Sequence, residues 1–224
     1  MAQSLQLLKL LQLSSPTLPV GAFAYSQGLE SAIETGLIID ANTMQNYLAD
    51  SLRYSLQQTD IPLLSRLYQA WLDNDLDQVD YWNQYLRAQR ETKELRDEDH
   101  QLGIALARLL FDLDIKEAKV WKKKSNASFL TLFALAAVKW DISCQDACTG
   151  YLWAWLDNQI AAAIKLVPLG QTDGQKILSK TLTLIPDIIA NGLSISTAEI
   201  GASLPMLAIL SAQHETQYSR LFRS

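Results

Sequence analysis

The sequence predicts one all-α domain, built as a single-domain multi-helix bundle of about nine or ten helices. Three observations carry that prediction. Apolar residues recur at helical spacing in almost every segment, and no strand alternation appears. Prolines, glycines and capping residues fall between the apolar runs, where helices start and stop. The 224 residues are 49% hydrophobic, which excludes disorder and supplies one substantial core.

The elements follow in order. Leu5, Leu8 and Leu11 make an apolar face, widened by Leu7 and Leu10. Pro16, Pro19 and Gly21 break it into a loop. Residues 23–35 are expected as one helix closed by Gly36. That helix would put Phe23, Ser26, Gln27 and Glu30 near one face, with Gly28 in its middle at a close backbone approach. Asn42 with Gln45 suggests a capping box for a helix to Gln57. Asp60 is expected to cap a helix with Pro62 in its first turn, ending near Asn74. Asp75 with Gln78 opens another through Tyr85 and Arg90.

Residues 87–100 are dense in both signs of charge. Glu91, Glu94 and Glu98 interleave with Arg87, Arg90, Lys93 and Arg96, a spacing that pairs them along a solvated helix face. A helix over 102–110 follows, and Lys122, Lys123 and Lys124 form a basic loop rim. Residues 125–139 are a strongly apolar helix. Ser143 with Asp146 caps the next, which carries Tyr151, Trp153 and Trp155 and ends at Pro168 and Gly170. Thr172 with Gln175 opens a helix through Ile185, Pro186 splits the path, and Ser203 with Pro205 begins the last helix. Residues 214–224 form a C-terminal tail.

Charge is distributed unevenly. Of 43 charged residues, 30 lie in 1–124, 10 in 125–212 and 3 in the last twelve. A net charge of −5 argues against a nucleic-acid protein. No apolar run reaches membrane-spanning length, and no basic leader is present, so a cytoplasmic protein is predicted. Cys144 and Cys148 read as small core side chains in a reducing compartment.

Three motifs of catalytic appearance fail. Gly170 to Lys176 lacks the spacing and the hydroxyl residue of a phosphate loop. His214-Glu215 begins like a zinc-protease helix, but Tyr218 stands where the second histidine belongs. His100 and His214 are the only histidines, and neither has a local nucleophile signature. No catalytic, cofactor-binding or metal-ligating residue is assigned, and an unrelated helical hydrolase is the weakest alternative.

The remaining distinctive residues are Pro19, Gly21, Phe23, Tyr25, Ser26, Gln27, Gly28 and Glu30; Arg90, Arg96 and Gly103; Val167 to Lys176; and the tail. Together, over essentially the whole chain and in order, they resemble the urease accessory protein UreF family. The resemblance implies an all-helical, dimeric, non-enzymatic chaperone without a cofactor. It would bridge a UreD/UreH-type scaffold and the GTPase UreG, and help load nickel into apo-urease. A role as GTPase-activating regulator is the alternative, with Arg90, Arg96 or Arg220 as an arginine finger.

Partner contacts are expected from Phe23, Tyr25, Ser26, Gln27, Glu30 and Arg96. Phe23 and Tyr25 serve either core or interface. Gln171 and Gln175 are expected as contacts at a helix start, whereas Thr172 and Asp173 are explained by capping. The tail offers His214, Glu215, Tyr218, Ser219, Arg220, Leu221 and Phe222, a mix of aromatic and cationic anchors with no obvious core to join. It is expected to order on a partner, the competing reading being a strap over its own domain. Tyr151, Trp153 and Leu156 are expected at a dimer seam.

Overall fold

A computed structural model describes residues 2–167, 169–201 and 204–224. The expected cap at Ser203 and the helix end at Pro168 lie outside the described residues. The fold is all-helical, with eleven α-helices among the described residues, slightly more than the sequence suggests. They are α1 (Ala2–Leu13), α2 (Leu29–Glu34), α3 (Ala41–Ser51), α4 (Asp60–Leu72), α5 (Leu76–Ala88), α6 (Lys93–Asp112), α7 (Phe129–Lys139), α8 (Cys144–Leu166), α9 (Gln171–Leu182), α10 (Ile185–Ser194) and α11 (Pro205–His214).

The centre is the α4–α7 pair. Every residue from Leu130 to Ala137 is buried, so α7 is apolar all round and has no face for charge. Its one charged residue, Lys139, sits in the last turn and pairs with Glu117 at 2.5 Å. Helices α5, α8 and α10 pack on α4, while α6 packs on α7. Two buried polar links fix the centre: Trp71 Nε1 donates to the Thr131 carbonyl at 2.9 Å, and Thr131 Oγ1 donates to Asn83 Oδ1 at 2.8 Å.

Helix boundaries are largely where side-chain chemistry puts them. Asp75 Oδ1 accepts from the Gln78 amide and Ser143 Oγ from the Asp146 amide, as expected. The cap of α3 is Asp40, in a box with Thr43, rather than Asn42 with Gln45. Asp60 does not cap α4; it is the first helical residue and is fully buried. Helix α9 begins after Gly170 without a side-chain cap, so Thr172 does not play that part. Pro186 opens α10 at its first turn.

The largest departure concerns residues 23–35. Instead of one helix, a short 3-10 turn at Ala22–Ala24 is followed by extended backbone at Tyr25. Gln27 and Gly28 then take positive φ, 55° and 81°, before α2 begins. Gly28 thus precedes a helix rather than interrupting one. A Cβ there would lie 3.4 Å from Leu210 Cβ and from the Ser211 amide nitrogen of α11. The close approach is real; the helical setting is not. Gly36, at φ 77°, closes α2 as expected.

Candidate partner-binding site

The tail does find a core to join. His214 ends α11 fully buried between two carboxylates: Nε2 lies 3.2 Å from Glu30 Oε2, and Nδ1 lies 2.9 Å from Glu94 Oε2. The ring thereby ties the end of α11 to both α2 and α6. Glu30 also receives the tail's backbone: Leu221 N–H donates to Oε1 at 2.7 Å and Phe222 N–H to Oε2 at 2.9 Å. Arg220 pairs with Glu94 at 2.9 Å.

The last residues are fastened as firmly. The Ser224 backbone oxygen accepts from the Ser26 amide at 2.8 Å and from Ser26 Oγ at 2.6 Å. Ser224 Oγ donates to Glu98 Oε2 at 2.8 Å. The Arg223 amide donates to the Ala24 carbonyl at 2.8 Å. Three carboxylates, from α2 and α6, therefore hold one strap. Buried and exposed residues alternate along its end: Phe222 and Ser224 face inward, while Leu221 and Arg223 face out.

Glu98 extends the network inward, accepting from Gln27 Nε2 at 2.7 Å. Gln27 Oε1 in turn accepts from Trp155 Nε1 at 2.7 Å. Burial pushes the Glu98 carboxyl from its ordinary 4.5 up to about 7, against the lowering effect of its Gln27 and Ser224 hydrogen bonds. Behind it lies a cavity of about 90 Å³ that Asp60, Arg90, Asp99 and Tyr151 also line. Arg90 clasps Asp60 with two hydrogen bonds, 2.7 and 3.2 Å, and Tyr151 Oη donates to the same carboxylate at 2.7 Å. Burial works against the Arg90 charge, but Asp60 and Asp99 outweigh it and hold the guanidinium protonated.

These contacts place the residues singled out by sequence. Ser26 and Glu30 are buried in the strap's cradle, His214 and Phe222 are buried residues of the tail it holds, and Tyr25 is buried beside them. Gln27 is half-buried in the Glu98–Trp155 link. Their polar groups face their own domain, so they position surface and do not present it. Phe23 is 68% exposed and Tyr218 fully exposed; Glu215, Ser219, Arg220 and Leu221 are also exposed.

Arg96 donates to the Arg90 and Glu91 carbonyls, and Arg90 is locked to Asp60. Neither projects freely as a finger. Gln171 and Gln175 are exposed on the first turns of α9, outside the strap's network. Of the three residues expected at a dimer seam, Leu156 is fully buried and Tyr151 is tied to Asp60 inside the protomer; Trp153 alone retains surface.

In sequence, Glu94 and Glu98 read as parts of a solvated face. A signal was available. They continue, in steps of four, the buried stripe Leu102, Leu106 and Leu110 of α6, and residues in such a row share a face. The apolar face expected on α1 turns outward: Leu5, Leu7, Leu8 and Leu11 are exposed, while Leu13 and half-buried Leu10 pack inward.

Comparison with known proteins agrees with these features. The UreF family model matches residues 38–181. The urease accessory protein UreF of Alkalilimnicola ehrlichii is 50% identical over 216 residues, covering 96% of this chain and 95% of the relative. That of Hahella chejuensis is 50% identical over 220 residues, covering 98% and 99%, and that of Teredinibacter turnerae 48% over 219 residues, covering 98% and 99%. An all-helical chain matched along its whole length by proteins of one kind belongs to the urease accessory protein UreF family.

Proposed function

We propose that this chain is a cytoplasmic, homodimeric chaperone that bridges a UreD/UreH-type scaffold protein and the GTPase UreG, so that nickel, the cargo, reaches apo-urease. The observation that carries the reading is the docked strap. Buried carboxylates fix its backbone while Tyr218 and Leu221 are left facing solvent. Holding apolar side chains outward on an ordered backbone reduces the ordering cost that a partner would otherwise meet. The outward leucines of α1 give a second apolar face of the same kind. Two free cysteines suit a reducing compartment, and no helix among the described residues is long and apolar enough to cross a membrane.

A GTPase-activating role has one observation in its favour. The Arg220 side chain is 40% exposed although anchored to Glu94, so its guanidinium is oriented at the surface. Co-expression with the scaffold and the GTPase, followed by size-exclusion with mass detection, tests the bridging reading. A particle containing all three proteins is expected, and failure of this chain to link the other two would end it. GTP turnover by that GTPase, with the wild-type chain and with Arg220→Ala, separates the two roles: bridging alone leaves the rate unchanged by the substitution.

A further inference from the structure

A groove of about 250 Å³ runs where the loop around Phe23, the outer face of α6 and the end of the strap meet. Its apolar surface comes from Val20, Phe23 and Ile104, and its cations are Arg108 and Arg223. Arg223 is placed by its own backbone bond to Ala24, and the burial of Phe222 and Ser224 on either side leaves it exposed. No acidic residue lines the groove. Among the described residues neither guanidinium has a carboxylate partner. Lys165 adds a third cation beside the strap, 5.7 Å from the Phe222 ring centre. In a chain of net charge −5, this local excess of positive charge is not an average property of the surface.

An apolar floor between separated cations matches one kind of occupant. Phosphate chains call for cations along a polar track, whereas Phe23 and Ile104 offer a place for an apolar side chain. The volume suits a short segment rather than a folded body. We infer that this groove docks an acidic segment of a partner protein, with one apolar side chain between Phe23 and Ile104 and flanking carboxylates on Arg108 and Arg223. The inference rests on the reading of the chain as a partner-binding protein. It adds a dependency: Arg223 belongs to the strap, so the groove is complete only while the strap lies in its cradle.

The test is an amide NMR titration of the full ¹⁵N-labelled chain with the end-blocked peptide Glu-Glu-Leu-Glu-Glu. The peptide Lys-Lys-Leu-Lys-Lys and a short oligothymidylate serve as comparators. Saturable shifts are expected at Gly21, Gln101 and Ile104 with the glutamate peptide alone. The R108E/R223E variant should bind it about tenfold more weakly, and R108Q/R223Q should fall between that and wild type. Both sites are exposed, and the spectrum of each unliganded variant reports its fold. Absent or non-saturating shifts, equal shifts with the lysine peptide, unchanged binding in both variants, or stronger shifts of the same amides with oligothymidylate would overturn the inference. Loss of the three-protein particle with peptide binding intact would instead retire the bridging reading and leave the groove standing.

Discussion

Glu30 accepts two backbone N–H groups of the strap and sits against His214. Removing its carboxylate leaves those buried donors without an acceptor, at about 1–3 kcal/mol for each orphaned group. Glu30→Ala should therefore release the strap while leaving the helical bundle folded. The expected signature is rapid hydrogen exchange at Leu221 and Phe222 with unchanged exchange in α4 and α7; protected strap amides would contradict it. Glu98 makes a different prediction. Its folded-state pKa, about 7, stands above the ordinary 4.5, so between these values the folded state binds more protons than the unfolded one. The group's contribution thus falls as pH rises through that window. Glu98→Gln keeps an acceptor for Gln27 and removes the buried charge. It should raise stability by about 1–3 kcal/mol at pH 8, with the gain shrinking as pH falls toward 4.5. Thermal unfolding at several pH values checks this, and a gain independent of pH would count against it.

At the scale of elements, the decisive feature is how closely α6 approaches the backbone that leads into α7. A Cβ on Gly103 would lie 2.8 Å from the Ala127 carbonyl oxygen and 2.8 Å from the Ser128 carbonyl carbon. Backbone cannot yield as a side-chain tip can. Gly103→Ala should cost about 1–3 kcal/mol, read as a lowered melting temperature; an unchanged one would show that the joint is looser. Most of the helices were legible in sequence because local signals agree with burial there. Asp75 and Ser143 are caps in both readings, and the apolar residues of α7 have no alternative to the centre. The region around Gly28 was not legible, because the positive φ of Gly28 goes with its close approach to Leu210 and Ser211 of α11, far along the chain. Asp60 misled for a related reason. Its position suits a helix cap, but Arg90 and Tyr151 draw it into the core. The strap stood in sequence only as the competing reading of the tail, since its cradle is built from Ser26, Glu30, Glu94 and Glu98, all distant in sequence.

At the scale of the whole molecule, the uneven charge of the chain becomes intelligible. The charge-poor stretch 125–212 contains α7, with no exposed apolar face, and all of α8. The charge-rich stretch includes the α6 carboxylates that hold the strap. Apolar surface remains elsewhere, on α1, at Phe23 and on the strap. For the proposed dimer, Trp153 is the candidate with surface to offer. Trp153→Asp should lower the solution mass to that of a protomer, and an unchanged mass by light scattering would remove this helix from the seam. In the proposed function the strap, fixed from below, presents Tyr218 and Leu221 to a scaffold protein. The direct measurement is co-elution of that scaffold with a Tyr218→Asp/Leu221→Asp variant. Both side chains are exposed and neither supports the core, so the variant should melt like wild type and fail to retain the scaffold. Retention at wild-type stoichiometry by the folded variant would show that the scaffold docks elsewhere.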